Sequence, residues 1–87
     1  MKHFTSPRFW EYYHKLPPDI RALADKNYDL LKNNPHHPSI KLKKVKRYWS
    51  VRIGPKYRAL ALEISENLVW FWIGNHNEYE RLINQNR

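Results

Sequence analysis

The 87-residue sequence predicts an α+β domain: an N-terminal helical hairpin packed on a mainly antiparallel, four-stranded twisted sheet, with a short helix closing the chain. Three observations carry that expectation. Residues 6–35 combine helical apolar spacing with proline punctuation. From residue 40 the pattern changes to short segments rich in β-branched and aromatic residues, separated by turn formers. The last and most apolar of these runs directly into a helix-start signal at Asn75.

Taken in order, Ser6-Pro7 reads as an N-cap followed by proline at the first helical position, and Phe9, Trp10, Tyr13 and Leu16 give a short amphipathic helix. Pro17-Pro18 ends it. Asp19 favours the start of a second helix, whose stripe of Ile20, Leu23, Ala24, Asn27, Leu30 and Leu31 is flanked by Tyr28 and stops at Asn33-Asn34-Pro35. Strands are predicted at Ile40–Val45, Tyr48–Ile53, Tyr57–Ile64 and Leu68–Ile73, with turns at Gly54-Pro55 and Ser65-Glu66-Asn67. Leu68–Ile73 is apolar at both parities and so belongs inside the sheet, covered on both faces. Asn75 and Glu78 resemble a capping box that opens the last helix at His76.

A chain of this length supports one compact core, because a domain this small buries only about 60–65% of the surface its unfolded chain exposes; residues 1–87 are read as a single domain. There is no cysteine, so neither a disulfide framework nor a thiolate metal site is available, which suits a reducing cytoplasm. The longest purely apolar run, Leu68–Ile73, has six residues, far short of a membrane span. Sixteen Lys and Arg against eight Asp and Glu leave a net charge of +8 and point to phosphate-bearing or acidic partners. The charge is also segregated: the 33 residues from Leu30 to Leu62 contain nine cations and no carboxylate.

Three constellations in that background carry chemistry. Lys41, Lys43, Lys44, Lys46 and Arg47 put five cations into seven residues, and Arg52, Lys56 and Arg58 follow on adjoining strands. Strands lie roughly 4.8 Å apart, so these cations can form a sheet-borne patch for several phosphates or, alternatively, a solvated edge protected against aggregation. Arg58 shares the parity of Leu60, Leu62 and Ile64, and a guanidinium on an apolar stripe needs a partner: a phosphate, or an ion pair with Glu63 or Glu78. His76 and Tyr79 share one face of the final helix at i,i+3, where the helix N-terminus favours both phosphate and a neutral, proton-accepting imidazole; the alternative is a capping histidine beside a packing tyrosine. His36-His37 lies in a loop without thiol or carboxylate neighbours, and no metal or other cofactor is expected. Trp70 and Trp72, at alternate positions, read as core.

The order of these elements, with Leu16-Pro17, Asn34-Pro35-His36-His37-Pro38, Tyr48-Trp49-Ser50-Val51-Arg52-Ile53, Tyr57-Arg58-Ala59-Leu60 and Gly74-Asn75-His76-Asn77-Glu78-Tyr79, resembles the RelE/ParE toxins of bacterial toxin-antitoxin pairs over residues 6–83. The resemblance implies a metal-independent endoribonuclease that cuts mRNA on the ribosome, held in check by an acidic antitoxin in a hetero-oligomer. It implies that Arg58 contacts the scissile phosphate, that Arg52 lies near a second basic catalytic position, that His76 transfers a proton, and that Tyr79 supports it or stacks a base. Lys41, Lys43, Lys44, Lys46, Arg47 and Lys56 then hold the RNA backbone. The chain departs from the family at three positions: Ser39 falls near the glutamate base of YoeB-like members, Ser50 replaces a RelE lysine, and the paired middle-strand histidines of YafQ-like members are missing. Two other functions fit the same fold and charge, a ParE-like inhibitor of DNA gyrase and a non-catalytic nucleic-acid-binding module.

Overall fold

The computed structural model describes residues 2–85. Strands β1 (His3–Thr5), β2 (Lys43–Val45), β3 (Tyr48–Ile53), β4 (Tyr57–Ile64) and β5 (Asn67–Asn75) form one sheet in the order β1-β5-β4-β3-β2, and helices α1 (Pro7–His14), α2 (Pro18–Asn33) and α3 (His76–Gln85) cover it. The α+β architecture is the predicted one, and β2 to β5 form the antiparallel meander. The sheet, however, has five strands and is mixed, because β1 pairs parallel to β5 with His3 opposite Leu68 and Thr5 opposite Trp70. Three residues before a helix are too few to show alternation, so this strand is defined by the edge it joins rather than by its own pattern. Strand β2 is shorter than predicted. Lys41 takes a positive φ of 49°, which breaks the extended run, and Ile40 turns inward to full burial.

Local signals behave as their chemistry requires. The Ser6 hydroxyl accepts from the Phe9 N–H, and Pro7 occupies the first turn of α1. Helix α1 packs on β5 and α2 on β3, so the seam of the hairpin faces the sheet. Tyr13 Oη donates to Asp25 at 2.8 Å, and Arg21 donates to the His14 and Leu16 carbonyls across the joint. At the β4–β5 hairpin Ser65 and Glu66 both have positive φ, the twist a two-residue turn needs to match its strands.

The sheet separates two apolar cores. Leu16, Leu31, Val51, Ala61, Leu68 and Trp70 pack on the α1 and α2 side, while Tyr48, Leu60, Trp72, Tyr79 and Ile83 pack on the α3 side. A β-bulge organises this division: Leu60 pairs with Trp72 but Ala61 pairs with Trp70, leaving Phe71 as the extra residue. Without the bulge, residues two apart would share a face; with it, Trp70 and Trp72 enter opposite cores.

Strand β1 is held by side chains as well as by the ladder. Trp70 Nε1 donates to His3 Nδ1 at 3.1 Å, the two rings stack at 6.2 Å, and Tyr28 Oη donates to the His3 carbonyl. Burial, reinforced by nearby positive charge including Lys32, pushes the His3 imidazole below its ordinary value of 6.5. The folded state therefore binds fewer protons than the unfolded chain below that value. The stability His3 contributes is complete above pH 6.5 and is lost as pH falls through the depressed folded pKa. Denaturant midpoints should fall from pH 7 to pH 5, and His3→Asn, which can accept the indole N–H without titrating, should flatten that slope.

Candidate functional site

Strands β3 and β4 place Arg52 directly opposite Arg58. The Arg52 N–H donates to the Ile40 carbonyl at 2.7 Å and its carbonyl accepts from Asn27 Nδ2 at 3.1 Å, so both backbone groups point away from β4. The two arginines are thus a non-hydrogen-bonded pair, the register in which facing side chains come closest, with Cα atoms about 4.5 Å apart. Like charges so placed repel.

Both guanidinium groups turn to one neutral acceptor. Arg52 Nε donates to the Gly54 carbonyl at 3.1 Å; Arg58 Nη1 donates to it at 3.4 Å and to the Tyr57 carbonyl at 2.8 Å. Gly54 can present that carbonyl because its φ of 63° suits glycine, and a Cβ there would meet Leu23 Cδ2 at 2.9 Å. A guanidinium carries five N–H donors, so most remain unspent. Among the described residues neither arginine forms an ion pair with a carboxylate, and Glu63, one partner the sequence allowed for Arg58, instead accepts from Trp49 Nε1 on the opposite face. Burial lowers the Arg58 pKa, the Arg52 charge lowers it further, and Tyr79 and Glu80 oppose both. The pair is a partly desolvated concentration of positive charge that no carboxylate contacts as an ion pair among the described residues.

The α3 N-terminus is docked beside it. Arg58 pairs with Gly74, the His76 N–H donates to the Lys56 carbonyl at 2.7 Å, and Asn75 Oδ1 accepts from the Glu78 N–H at 2.9 Å, as the capping signal predicted. His76 lies between two side chains of its own helix: the Tyr79 ring, 5.7 Å away between centroids, and Glu80, whose Oε1 is 3.4 Å from Nε2. The Tyr79 ring is only 4% exposed and packs with Leu60, Trp72 and Ile83, so it backs His76 and offers no open face.

The six flanking cations do not all gather here. Lys43 pairs with Ser50 on the same sheet face as Arg52, and Lys56 sits in the turn beside Arg58. Lys44 reaches the other face, where Nζ lies 5.9 Å from the Trp49 ring centroid. Lys46 and Arg47 form the β2–β3 turn, about 17 Å along the strand from Arg52, with Arg47 over the Tyr48 ring, and Lys41 lies exposed before β2. The cations are thus divided between the two sheet faces and the β2–β3 turn.

Sequence reasoning missed Glu80 and the role of Asn27. Glu80 was detectable as the i+4 neighbour of His76, and Asn27 as an amide interrupting an apolar stripe. Among the described residues no group of three or more His, Cys, Asp or Glu is placed to hold a metal, and no helix is long and apolar enough to cross a membrane.

A family model described as a ParE-like toxin domain matches residues 18–81. A chain of the RelB-RelE antitoxin-toxin complex from Methanococcus jannaschii has a similar fold, with a TM-score of 0.71 and 14% identity over 91% of this chain and 96% of that one. YafQ from E. coli matches with a TM-score of 0.66 and 16% identity over 90% and 96% of the two chains. The YoeB/ParE toxin from Agrobacterium tumefaciens gives 0.64 and 19% over 87% and 99%. No curated protein matches by sequence.

Packing around the site is tight at Gly74, where an added Cβ would lie 2.5 Å from Trp72 Cζ2. Gly74→Ala should therefore displace the indole and cost about 1–3 kcal/mol, measured as a lower denaturant midpoint.

Proposed function

Because the chain belongs to the ParE-like toxin domain family, a toxin of toxin-antitoxin type, we propose that it is a ribosome-dependent, metal-independent mRNA endoribonuclease acting in the cytoplasm. The observation that carries the reading is the Arg52–Arg58 pair: two facing guanidiniums with unspent donors and no carboxylate partner among the described residues. Such a pair is stabilised by an anion with several acceptor oxygens, and a phosphate supplies them in the geometry a guanidinium fork matches.

In the reaction, the RNA 2′ oxygen forms a bond to the adjacent phosphorus while the bond to the 5′ oxygen breaks. His76 handles the proton, either taking it from the 2′ hydroxyl or delivering it to the leaving 5′ oxygen. The products are a 2′,3′-cyclic phosphate and a 5′ hydroxyl. Arg58, assisted by Arg52, neutralises the charge that accumulates on the phosphorane, and a well-placed donor of this kind contributes about 3–4 kcal/mol. Tyr79 supports His76 from the core side. Lys41, which follows the Ile40 carbonyl bonded to the Arg52 N–H, together with Lys43 and Lys56, holds flanking phosphates, while Lys44, Lys46 and Arg47 extend the electrostatic footprint.

A cognate acidic antitoxin is the proposed protein partner. The solved relatives include toxins in complex with antitoxins, and charge complementarity suits a chain of +8. Apolar surface is also open to it: Phe4, Val69 and Leu62 lie in one row across β1, β5 and β4, with Phe4 48% and Leu62 37% exposed.

Expression of the chain in growing bacteria, with mRNA 5′ ends mapped, tests the reading. New ends inside coding regions are expected. Arg58→Ala should reduce them about 100- to 1000-fold and His76→Gln strongly, without loss of folded protein. Growth arrest with DNA-damage signalling and intact mRNA would instead identify a gyrase inhibitor, the second reading that the ParE-like family description favours.

A further inference from the structure

The arginine pair explains how this surface attracts an anion but leaves a carboxylate beside it unexplained. Glu80 acts electrostatically on Arg58, opposing the effects of burial and of Arg52. A surface built only to bind phosphate gains nothing from an acid in that position, since it weakens the field the cations create. The other described carboxylates near structural partners have evident work: Asp25 accepts from Tyr13, Asp29 pairs with Lys32, and Glu63 accepts from Trp49. Glu80 instead lies 3.4 Å from His76 Nε2, one helical turn away, both side chains being less than half exposed. The ring's other neighbour on the helix is Tyr79, 5.7 Å away and buried in the α3-side core.

We infer that Glu80 is the positioning residue of the site: it holds the His76 ring against Tyr79 and fixes the proton on Nε2, leaving Nδ1 as the nitrogen that exchanges a proton with RNA. An imidazole has two tautomers, and an acceptor at one nitrogen selects the tautomer that presents the lone pair at the other. The resemblance between this arrangement and a carboxylate-oriented histidine explains why an acid is tolerated next to Arg58. The catalytic consequence rests on the ribonuclease reading; the orientation of His76 does not.

Two measurements on the full chain separate these. In ¹⁵N NMR of the free protein near pH 8, the two ring nitrogens of His76 should show the well-separated shifts of a dominant Nε2–H tautomer. They should draw together in Glu80→Ala and stay apart in Glu80→Gln, whose amide oxygen still accepts. In ribosome-dependent cleavage, Glu80→Ala should lower kcat on the order of 100-fold at unchanged KM, and Glu80→Gln should recover most of it. Unchanged ¹⁵N shifts in Glu80→Ala, or an effect confined to KM, would overturn the assignment. Tautomer mixing in Glu80→Ala with no cleavage by the wild type would uphold the positioning role and defeat the ribonuclease reading alone.

Discussion

Two arginines face each other across the β3–β4 ladder and share one glycine carbonyl, and much of the surrounding structure serves to keep them there. Like charges in direct register are unfavourable in a sheet. The arrangement persists because the backbone that carries it is held from outside the ladder, by Ile40 at the Arg52 N–H and by the buried Asn27 at its carbonyl. Helix α2 thus does more than cover the sheet. Its one buried amide pins the end of β3 where β2 has already stopped.

The rest of the fold aligns with that constraint. The bulge at Phe71 sends Trp72 to the α3 side, where it packs with Leu60 and Tyr79 and covers Gly74, the residue opposite Arg58. Gly74 has no side chain to interrupt that contact, and the chain turns into α3 two residues later. His76 therefore starts its helix beside the turn that carries Lys56, with its backbone bonded to that turn. Positive charge from β3 and β4 and a titratable ring from α3 meet at one end of the sheet because strand register, bulge and helix cap agree.

Much of this was legible in the sequence where the signal was local. Ser6-Pro7, Pro17-Pro18 and Asn75 marked helix boundaries through backbone chemistry that depends on a few neighbours, and the structure places α1, α2 and α3 accordingly. Arg58 stood out as a charge on an apolar stripe, and His76 with Tyr79 as an i,i+3 pair. What escaped were features created by pairing between distant segments. Strand β1 exists only through the β5 edge, the parity switch between Trp70 and Trp72 only through a bulge, and the division of the lysines only through the register of β2 on β3. Lys44 looked equivalent to Lys43 in sequence, yet alternation sends it to the other face, over Trp49.

The most direct test of the arginine pair is a denaturation midpoint for wild type and Arg58→Met, each with and without a short 2′-O-methyl RNA that cannot be cleaved. Methionine keeps much of the stem and removes the charge. If the pair is an anion site, the RNA raises the wild-type midpoint, and Arg58→Met is at least as stable as wild type without RNA but insensitive to it. A variant that is less stable by more than about 1 kcal/mol without RNA, yet still stabilised by it, would make Arg58 a structural residue and place the phosphate elsewhere.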